Sequence, residues 1–135
     1  MEAILESSAE PARPSNAKLW TSRIVGGLVV LFLLVDGAGK VLRLAPYVEG
    51  TAKVGYPTSC LVPLGLALLA STLLYAFRRT SVLGAILLTG YLGGAVATHV
   101  RLGQPFVMPL VFGVLVWGCL WLRDPRVRAL VPSTR

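Results

Sequence analysis

A few polar residues interrupt otherwise apolar segments of this 135-residue sequence. Asp36 and Lys40 lie four residues apart, and on a helix this order, acid before base, favours an ion pair. His99 is the only histidine, and Arg101 follows it two residues later. Within a membrane such groups can bind a polar head group, relay a proton or hold one another in place.

Other kinds of reactive site find little support in the sequence. The two cysteines, Cys60 and Cys119, form no CxxC pair and lack the spacing of a zinc ligand set. A single histidine cannot supply both ligands of a bis-histidine haem within one chain. We therefore predict no metal site, no resident cofactor and no catalytic residue, and we interpret each cysteine as a small packing residue.

Four apolar segments have to position the polar residues. They cover residues of about 24–45, 58–77, 81–100 and 106–122, and 55% of all residues are hydrophobic. Each segment has about 17 to 22 residues, which at about 1.5 Å per residue matches a hydrocarbon core of about 30 Å. No alternation of polar and apolar residues indicates strands. The sequence therefore predicts an all-α fold, a four-helix transmembrane bundle.

The chain divides into a polar tail, a membrane domain and a short end. Residues 1–19 contain three glutamates and two prolines, and this composition predicts a mostly disordered tail. Residues 20–132 form the predicted transmembrane domain, and residues 133–135 form a C-terminal tail. Within the membrane domain, residues 46–57 are predicted to be a structured interfacial loop with room for one helical turn.

The distribution of charge predicts the orientation of the bundle. The formal net charge is +7, but the basic residues are dispersed rather than gathered on one face, so nucleic acid is not a predicted partner. If all four segments cross the bilayer, the side with both termini holds nine Lys and Arg residues and the other side holds four. Positive residues are retained in the cytoplasm, so we predict cytoplasmic termini and a multi-pass protein of the inner (plasma) membrane.

The RDPRVR segment, 123–128, is predicted to anchor the chain at anionic lipid, with Asp124 paired to a neighbouring arginine.

The same topology gathers the polar residues near one depth. Measured from the cytoplasmic edge, Asp36 lies at about 18 Å, Lys40 at about 24 Å and His99 at about 25 Å. One hypothesis is an outward-facing pocket that binds a ligand, and its predicted members are Asp36, Lys40, Tyr56, Thr98, His99 and Arg101. The alternative is structural: an ion pair that locks the helix, with Lys40 extending outward and His99 at the interface. The sequence leaves both open.

Small residues form two rows on the third apolar segment. Gly90 and Gly94 form a GxxxG motif, and Gly93 and Ala97 form a parallel pair. Such rows let helix backbones approach closely, and packing then replaces the hydrophobic effect that lipid does not provide. They predict a helix-packing face, whose partner is either in the same chain or in another copy.

Several motifs together resemble the DoxX-like family of integral membrane proteins. They are RRTSVLGAILLTGYLGGAVATHVRLGQP, W-x3-W-LRDPRVRALVP, DG-x2-K in the first segment and VGYP before the second. The resemblance extends from Trp20 to Pro132 and leaves out the N-terminal tail. It implies a compact four-helix transmembrane bundle, in agreement with the apolar segments.

The function that the resemblance implies is broad. The family takes its name from a membrane subunit associated with thiosulfate or quinol oxidation, and relatives include proteins that help other membrane proteins assemble. It implies a non-catalytic membrane subunit or assembly partner, whose contacts are the lipid bilayer and a membrane-protein partner or a second copy. The alternative is a quinone- or lipid-binding accessory of a membrane oxidoreductase that uses the outward-facing pocket. Transport is disfavoured, because inverted repeats and broken helix pairs are not evident.

Overall fold

The computed structural model describes residues 15–130, which contain helices and turns but no β-strand. The predicted tails at 1–14 and 133–135 lie outside the described residues. A 3₁₀ turn, Thr58–Cys60, precedes the third helix. The helices are α1 Asn16–Val41, α2 Ala45–Lys53, α3 Leu61–Ala76, α4 Ser81–Arg101, α5 Val107–Arg123 and α6 Pro125–Leu130.

The apolar helices agree with an integral membrane protein. Three stretches are long and apolar enough to cross a bilayer: Asn16–Val41, Thr58–Ala76 and Ser81–Arg101. The fourth, Val107–Arg123, is equally apolar in character but has only 17 residues. Large apolar side chains cover the outside of the bundle, as expected for a surface that lipid solvates. The all-helical prediction is therefore confirmed, with three to four apolar helices.

The first helix differs from its predicted bounds at both ends. It begins at Asn16 rather than near residue 24, because the polar residues before the apolar run continue the helix and Ser15 Oγ accepts a hydrogen bond from the Lys18 N–H at 3.4 Å. Residues 16–19, predicted to belong to the tail, are therefore helical. The first helix ends at Val41, before the predicted residue 45, and the left-handed backbone of Arg43 (φ 55°) then turns the chain.

The predicted interfacial loop contains a helix, α2, longer than the single turn expected from the sequence. Pro46 occupies its first turn, where the missing N–H costs nothing. The ring of Tyr47 lies directly on Gly39 of α1, and any side chain at Gly39 would overlap that ring. Gly55 follows α2 with φ +82°, a conformation that favours glycine, and redirects the chain towards α3.

The four apolar helices form a ring in which each packs on two neighbours. α1 contacts α3 and α5, and α4 contacts the same two helices. At the α1–α3 crossing, a Cβ on Gly65 would lie 2.8 Å from the carbonyl oxygen of Gly37, so glycine is needed there. Gly84 of α4 lies similarly against the backbone of Tyr75 in α3. The buried core residues are Val29, Leu33, Leu68, Tyr75, Ala85, Leu88, Val116, Leu120 and Val127.

The bundle has two ends, and one is closed by arginines. We call this the arginine end: the α3–α4 turn and the α5–α6 junction meet there. Arg123 donates to the carbonyl oxygen of Tyr75 at 3.0 Å, and Arg126 donates to that of Arg78 at 3.2 Å. Arg126 is also paired with Asp124, as the sequence predicts. The opposite end, where α2 covers the ends of α1 and α4, holds the candidate site.

Candidate ligand-binding site

A cavity of about 520 Å³ lies between α1, α2, α3 and α4, at the other end of the bundle from the arginine end. We call this end the cavity end. Four of the six predicted site residues line the cavity, namely Lys40, Tyr56, Thr98 and His99. Asp36 and Arg101 lie behind its wall, each bonded to a group at the cavity, and are described below. The structure thus brings the predicted residues together in space.

The Asp36–Lys40 ion pair forms the wall on the α1 side. The ammonium group of Lys40 donates to the Asp36 carboxylate one turn earlier in α1, so the side chain turns back into the bundle and does not extend outward. The two side chains are only 17% (Lys40) and 26% (Asp36) exposed. The same ammonium lies 5.7 Å from the ring centroid of Tyr47 and 5.9 Å from that of Tyr91. Asp36 therefore holds Lys40 between two aromatic rings at the cavity.

His99 presents one ring nitrogen that the helix does not use. Its Nδ1 lies 2.7 Å from the carbonyl oxygen of Ala95. A carbonyl oxygen only accepts, so Nδ1 must carry a hydrogen. In the neutral tautomer with that hydrogen, the lone pair of Nε2 is left to accept a hydrogen bond. The cavity consequently offers an ammonium donor on α1 and an imidazole acceptor on α4.

Two hydrogen bonds tie the end of α4 to the segment after α2, and we call them the latch. Thr98 Oγ1 donates to the Gly94 carbonyl at 2.9 Å, so at its 3.1 Å contact with Tyr56 the tyrosine hydroxyl is the donor. Arg101 Nη2 donates to the carbonyl oxygen of Val54 at 3.1 Å, and its guanidinium lies 5.8 Å from the Tyr56 ring centroid. The latch closes the cavity on the side of the helix ends.

The small residues predicted to pack helices lie on exposed surfaces of α4. No atom of another element lies within 4 Å of where a Cβ on Gly90, Gly93 or Gly94 would stand, and Ala97 is exposed as well. Within the chain, close helix approach depends instead on Gly37, Gly65 and Gly84, as described above. Gly90 and Gly94 line the cavity. Packing against another copy stays a prediction.

Sequence reasoning missed several residues of the cavity. Tyr47 and Tyr91 flank Lys40, buried Thr51 contributes from α2, and Cys60 lines the cavity at the start of α3. Tyr91 was accessible to prediction, because it stands eight residues before His99 and thus on nearly the same face of a helix. Tyr47 and Thr51 were not, because the sequence predicts an interfacial loop with room for one helical turn at residues 46–57.

A second, apolar groove of about 820 Å³ lies between α4 and α5. Gly93, Gly113 and Gly118 are among the residues that line it, together with Trp117 and Trp121. The indole N–H of Trp117 donates to Thr89 Oγ1 at 2.7 Å, which satisfies both polar groups within the groove. Among the residues that the structure describes, none that lines this groove is charged, so its chemistry differs from that of the cavity.

The cavity combines a few polar groups with apolar surface. Its polar side-chain groups are hydroxyls, one ammonium, one imidazole and the Cys60 thiol, and apolar side chains such as Leu64 and Val54 fill the space between them. Such a mixture holds a molecule that has a hydrogen-bonding head and an apolar remainder. The two cysteines are both free thiols, Cys60 at the cavity and Cys119 buried near the arginine end.

The comparison with protein families identifies the chain. Residues 24–119, more than half of the sequence, match the model of the DoxX-like family, and the chain belongs to that family. The matched range includes the Asp36–Lys40 pair and His99, and it ends before the RDPRVR segment. No curated protein and no solved structure matches the chain.

Proposed function

We propose that this DoxX-like membrane protein is a non-catalytic accessory of a larger membrane system and binds an amphipathic molecule, a quinone or a lipid. The observation that carries the proposal is the cavity, in which Lys40 and His99 face a largely apolar volume of about 520 Å³. Pockets of roughly 300–1,000 Å³ with a few convergent polar groups are typical of small-molecule sites. The geometry thus favours the accessory function over a purely structural one.

The charges around the cavity favour a neutral head group. Lys40 is already paired with Asp36, so the wall of the cavity carries little net charge. An ion entering this partly buried place would lose its hydration and find no unpaired countercharge among the described residues that line the wall. The Arg101 guanidinium lies behind that wall, turned to the Val54 carbonyl and the Tyr56 ring. A neutral head with a carbonyl oxygen can instead accept from the Lys40 ammonium, and a hydroxyl on the same head can donate to His99 Nε2. A quinone or quinol meets these conditions better than a phosphate.

The test uses Cys60 as a reporter, because this thiol lines the cavity. In a Cys119→Ser background, a maleimide reacts with Cys60 alone, and a bound ligand slows the reaction. A decyl benzoquinone whose other ring positions are all substituted, so that the thiol has no open ring carbon to attack, and a lysophospholipid serve as the two probes. Lipids extracted from the purified protein are identified by mass spectrometry. We expect the quinone to protect Cys60, whereas protection by the lysophospholipid alone points to a lipid ligand.

Matched variants assign the protection to the cavity. We expect His99→Ala, and the double change Asp36→Asn with Lys40→Met, to weaken quinone protection about tenfold, since each removes a charge-assisted or neutral hydrogen bond. Thr89→Ala changes the other groove and serves as a control with unchanged protection. If neither probe protects Cys60 and no quinone or lipid copurifies, the binding function is wrong.

A four-span topology with both termini in the cytoplasm completes the proposal. It rests on the nine basic residues on one side against four on the other. The cavity then faces the outer side of the inner membrane. Lys53→Cys, in a chain without its two native cysteines, is expected to react with an impermeant thiol reagent added outside intact cells. Reaction only after the membrane is opened would reverse the orientation.

A second candidate function is that of a subunit or assembly partner that docks a transmembrane helix of another protein. The groove between α4 and α5 supports it, because its glycines would let another backbone approach and its tryptophans form walls. A photo-cross-linker at Val114, which is 66% exposed, tests this idea. A discrete cross-linked protein that disappears with Gly113→Leu supports docking, and adducts with lipid alone contradict it.

A further inference from the structure

We propose that Gly90 and Gly94 form a lateral portal, through which one hydrocarbon chain of the bound molecule passes from the cavity into the bilayer. This inference rests on the proposed function and deepens it by naming the class of ligand. The ligand would be a single-chain amphiphile, such as a quinone with one prenyl or alkyl chain. The GxxxG motif would then be an opening for that chain and not a face for helix pairing.

The position of the two glycines carries the inference. Both line the cavity and both are exposed at the surface of α4, so the cavity reaches the outside of the bundle where they stand. Nothing occupies the space within 4 Å of a Cβ at either position. Thr98 continues the row at the same spacing, and the row from Gly90 to Thr98 is about 12 Å long. It forms a smooth floor along which a slender chain can lie.

Three other sides of the cavity are obstructed. At the helix ends, the latch ties Tyr56 to Thr98 and Arg101 to Val54. Towards α1, Tyr47 packs on Gly39, and its ring centroid lies 5.7 Å from the Lys40 ammonium. Between α1 and α3, the close contact of Gly37 with Gly65 leaves no passage. The glycines on α4 are therefore an open way by which a molecule dissolved in the bilayer reaches the cavity. Gly50 of α2, which also lines the cavity and is exposed, leaves a second opening at α2.

The width of the portal selects one chain. Two missing side chains on a single helix give a gap one side chain wide, which suits a single alkyl or prenyl chain. A phospholipid would have to accommodate two chains in that gap. Because burial of hydrocarbon is roughly additive along a chain, the part of the chain that lies on this floor should contribute to affinity.

The experiment compares two ligands that share one head group. A fully substituted benzoquinone with a decyl chain and the same ring with a methyl group in place of the decyl chain are titrated against Cys60 protection in the Cys119→Ser protein. Neither has an open ring carbon for a thiol to attack, and intact-protein mass spectrometry checks that no quinone has added to Cys60. We expect Gly90→Leu and Gly94→Leu to weaken binding of the decyl compound about tenfold or more and to leave the chainless compound unchanged. Gly93→Leu is the matched control, because Gly93 is an exposed glycine of the same helix that lines the other groove. It is expected to change neither affinity.

The outcomes of this experiment distinguish a failure of the portal from a failure of the proposed binding function. If both quinones bind the leucine variants as they bind the parent protein, the portal is wrong while the cavity remains a binding site. If neither quinone nor lysophospholipid protects Cys60 in the parent protein, the proposed function fails and the portal fails with it. If Gly90→Leu converts an oligomer to a monomer by size-exclusion chromatography with light scattering, the motif is a pairing face and the portal is overturned.

Discussion

The arginine end and the cavity end of the bundle contain similar groups in opposite arrangements. Tyr75 is fully buried at the arginine end, where its hydroxyl donates to the Val116 carbonyl at 2.8 Å and its ring lies 4.6 Å from the Arg123 guanidinium. At the cavity end, Tyr91 and Lys40 form a looser pair beside open volume. Aromatic and cationic side chains therefore fill the arginine end, whereas at the cavity end they line open volume.

Glycine positions account for much of this contrast. Gly84 lets α4 lie on the backbone of α3 at Tyr75, so these two helices meet without a gap at the arginine end. Gly90 and Gly94, further along α4, have no such neighbour. Near the cavity end, α4 faces α1 across the ring of helices, where no direct packing of the two backbones exists. A cavity therefore forms where the glycines of α4 have no close neighbour, and a tight contact forms where Gly84 meets the backbone of α3.

The largest effect is expected from a methyl group placed at the closed end. Gly84→Ala puts a Cβ against the rigid backbone of Tyr75, and backbone cannot move aside as a side chain can. We expect destabilisation of about 3 kcal/mol or more, at the upper end of typical overpacking costs. Thermal unfolding in detergent measures it. Gly90→Ala, where the space is open, is the control, and equal effects of the two substitutions would remove the distinction between the ends.

An intermediate effect is expected when the ion pair of the cavity end is broken. Asp36→Asn leaves the Lys40 ammonium partly buried in the membrane without a charged partner, and we expect a loss of about 1–3 kcal/mol. The double variant Asp36→Asn with Lys40→Met removes both charges and should recover most of that loss. Unfolding of the two variants under identical conditions checks the difference. Equal stability of the single and double variants would show that the pair does not act as a unit.

The smallest effect is expected from acid at the arginine end. The Arg126 side chain, by donating hydrogen bonds, lowers the pKa of Asp124 below its ordinary value of 3.8, while burial opposes the shift. A lowered pKa stabilises the folded state above that ordinary value, and the contribution is lost as the pH falls further towards the folded-state pKa. We expect the unfolding temperature to drop between pH 5 and pH 3 more in the parent protein than in Asp124→Asn. A drop of the same size in both would exclude Asp124 as its origin.

Much of the architecture was predictable because hydrophobicity is a local property. Apolar runs of this length must be helical in a bilayer, since only a helix satisfies its own backbone groups there. The bounds of the helices were less predictable at Asn16 and within Ala45–Lys53, where polar residues form helix and the apolar pattern is weak. There, the Ser15 cap and the packing of Tyr47 on Gly39 determine where the helices form.

The candidate site was predictable in part for the same reason. Depth along a helix follows from residue number, so Lys40 and His99 could be assigned to the same level. Depth does not give direction around the helix axis, however. The sequence could not distinguish an outward-extending Lys40 from one that turns back to Asp36, nor a glycine that packs from one that lines a cavity.

By itself, the sequence determined the membrane character, the helices and the level of the polar groups, because each depends on composition and on the constant rise of a helix. Tertiary structure alone decided which glycines touch another backbone and which remain open. It also decided that Tyr47, Tyr91, Thr98 and His99 surround one cavity while Asp36 stands behind Lys40. The physical reason is that contacts between helices depend on rotation and crossing, which join residues distant in sequence and leave no periodic signal in it.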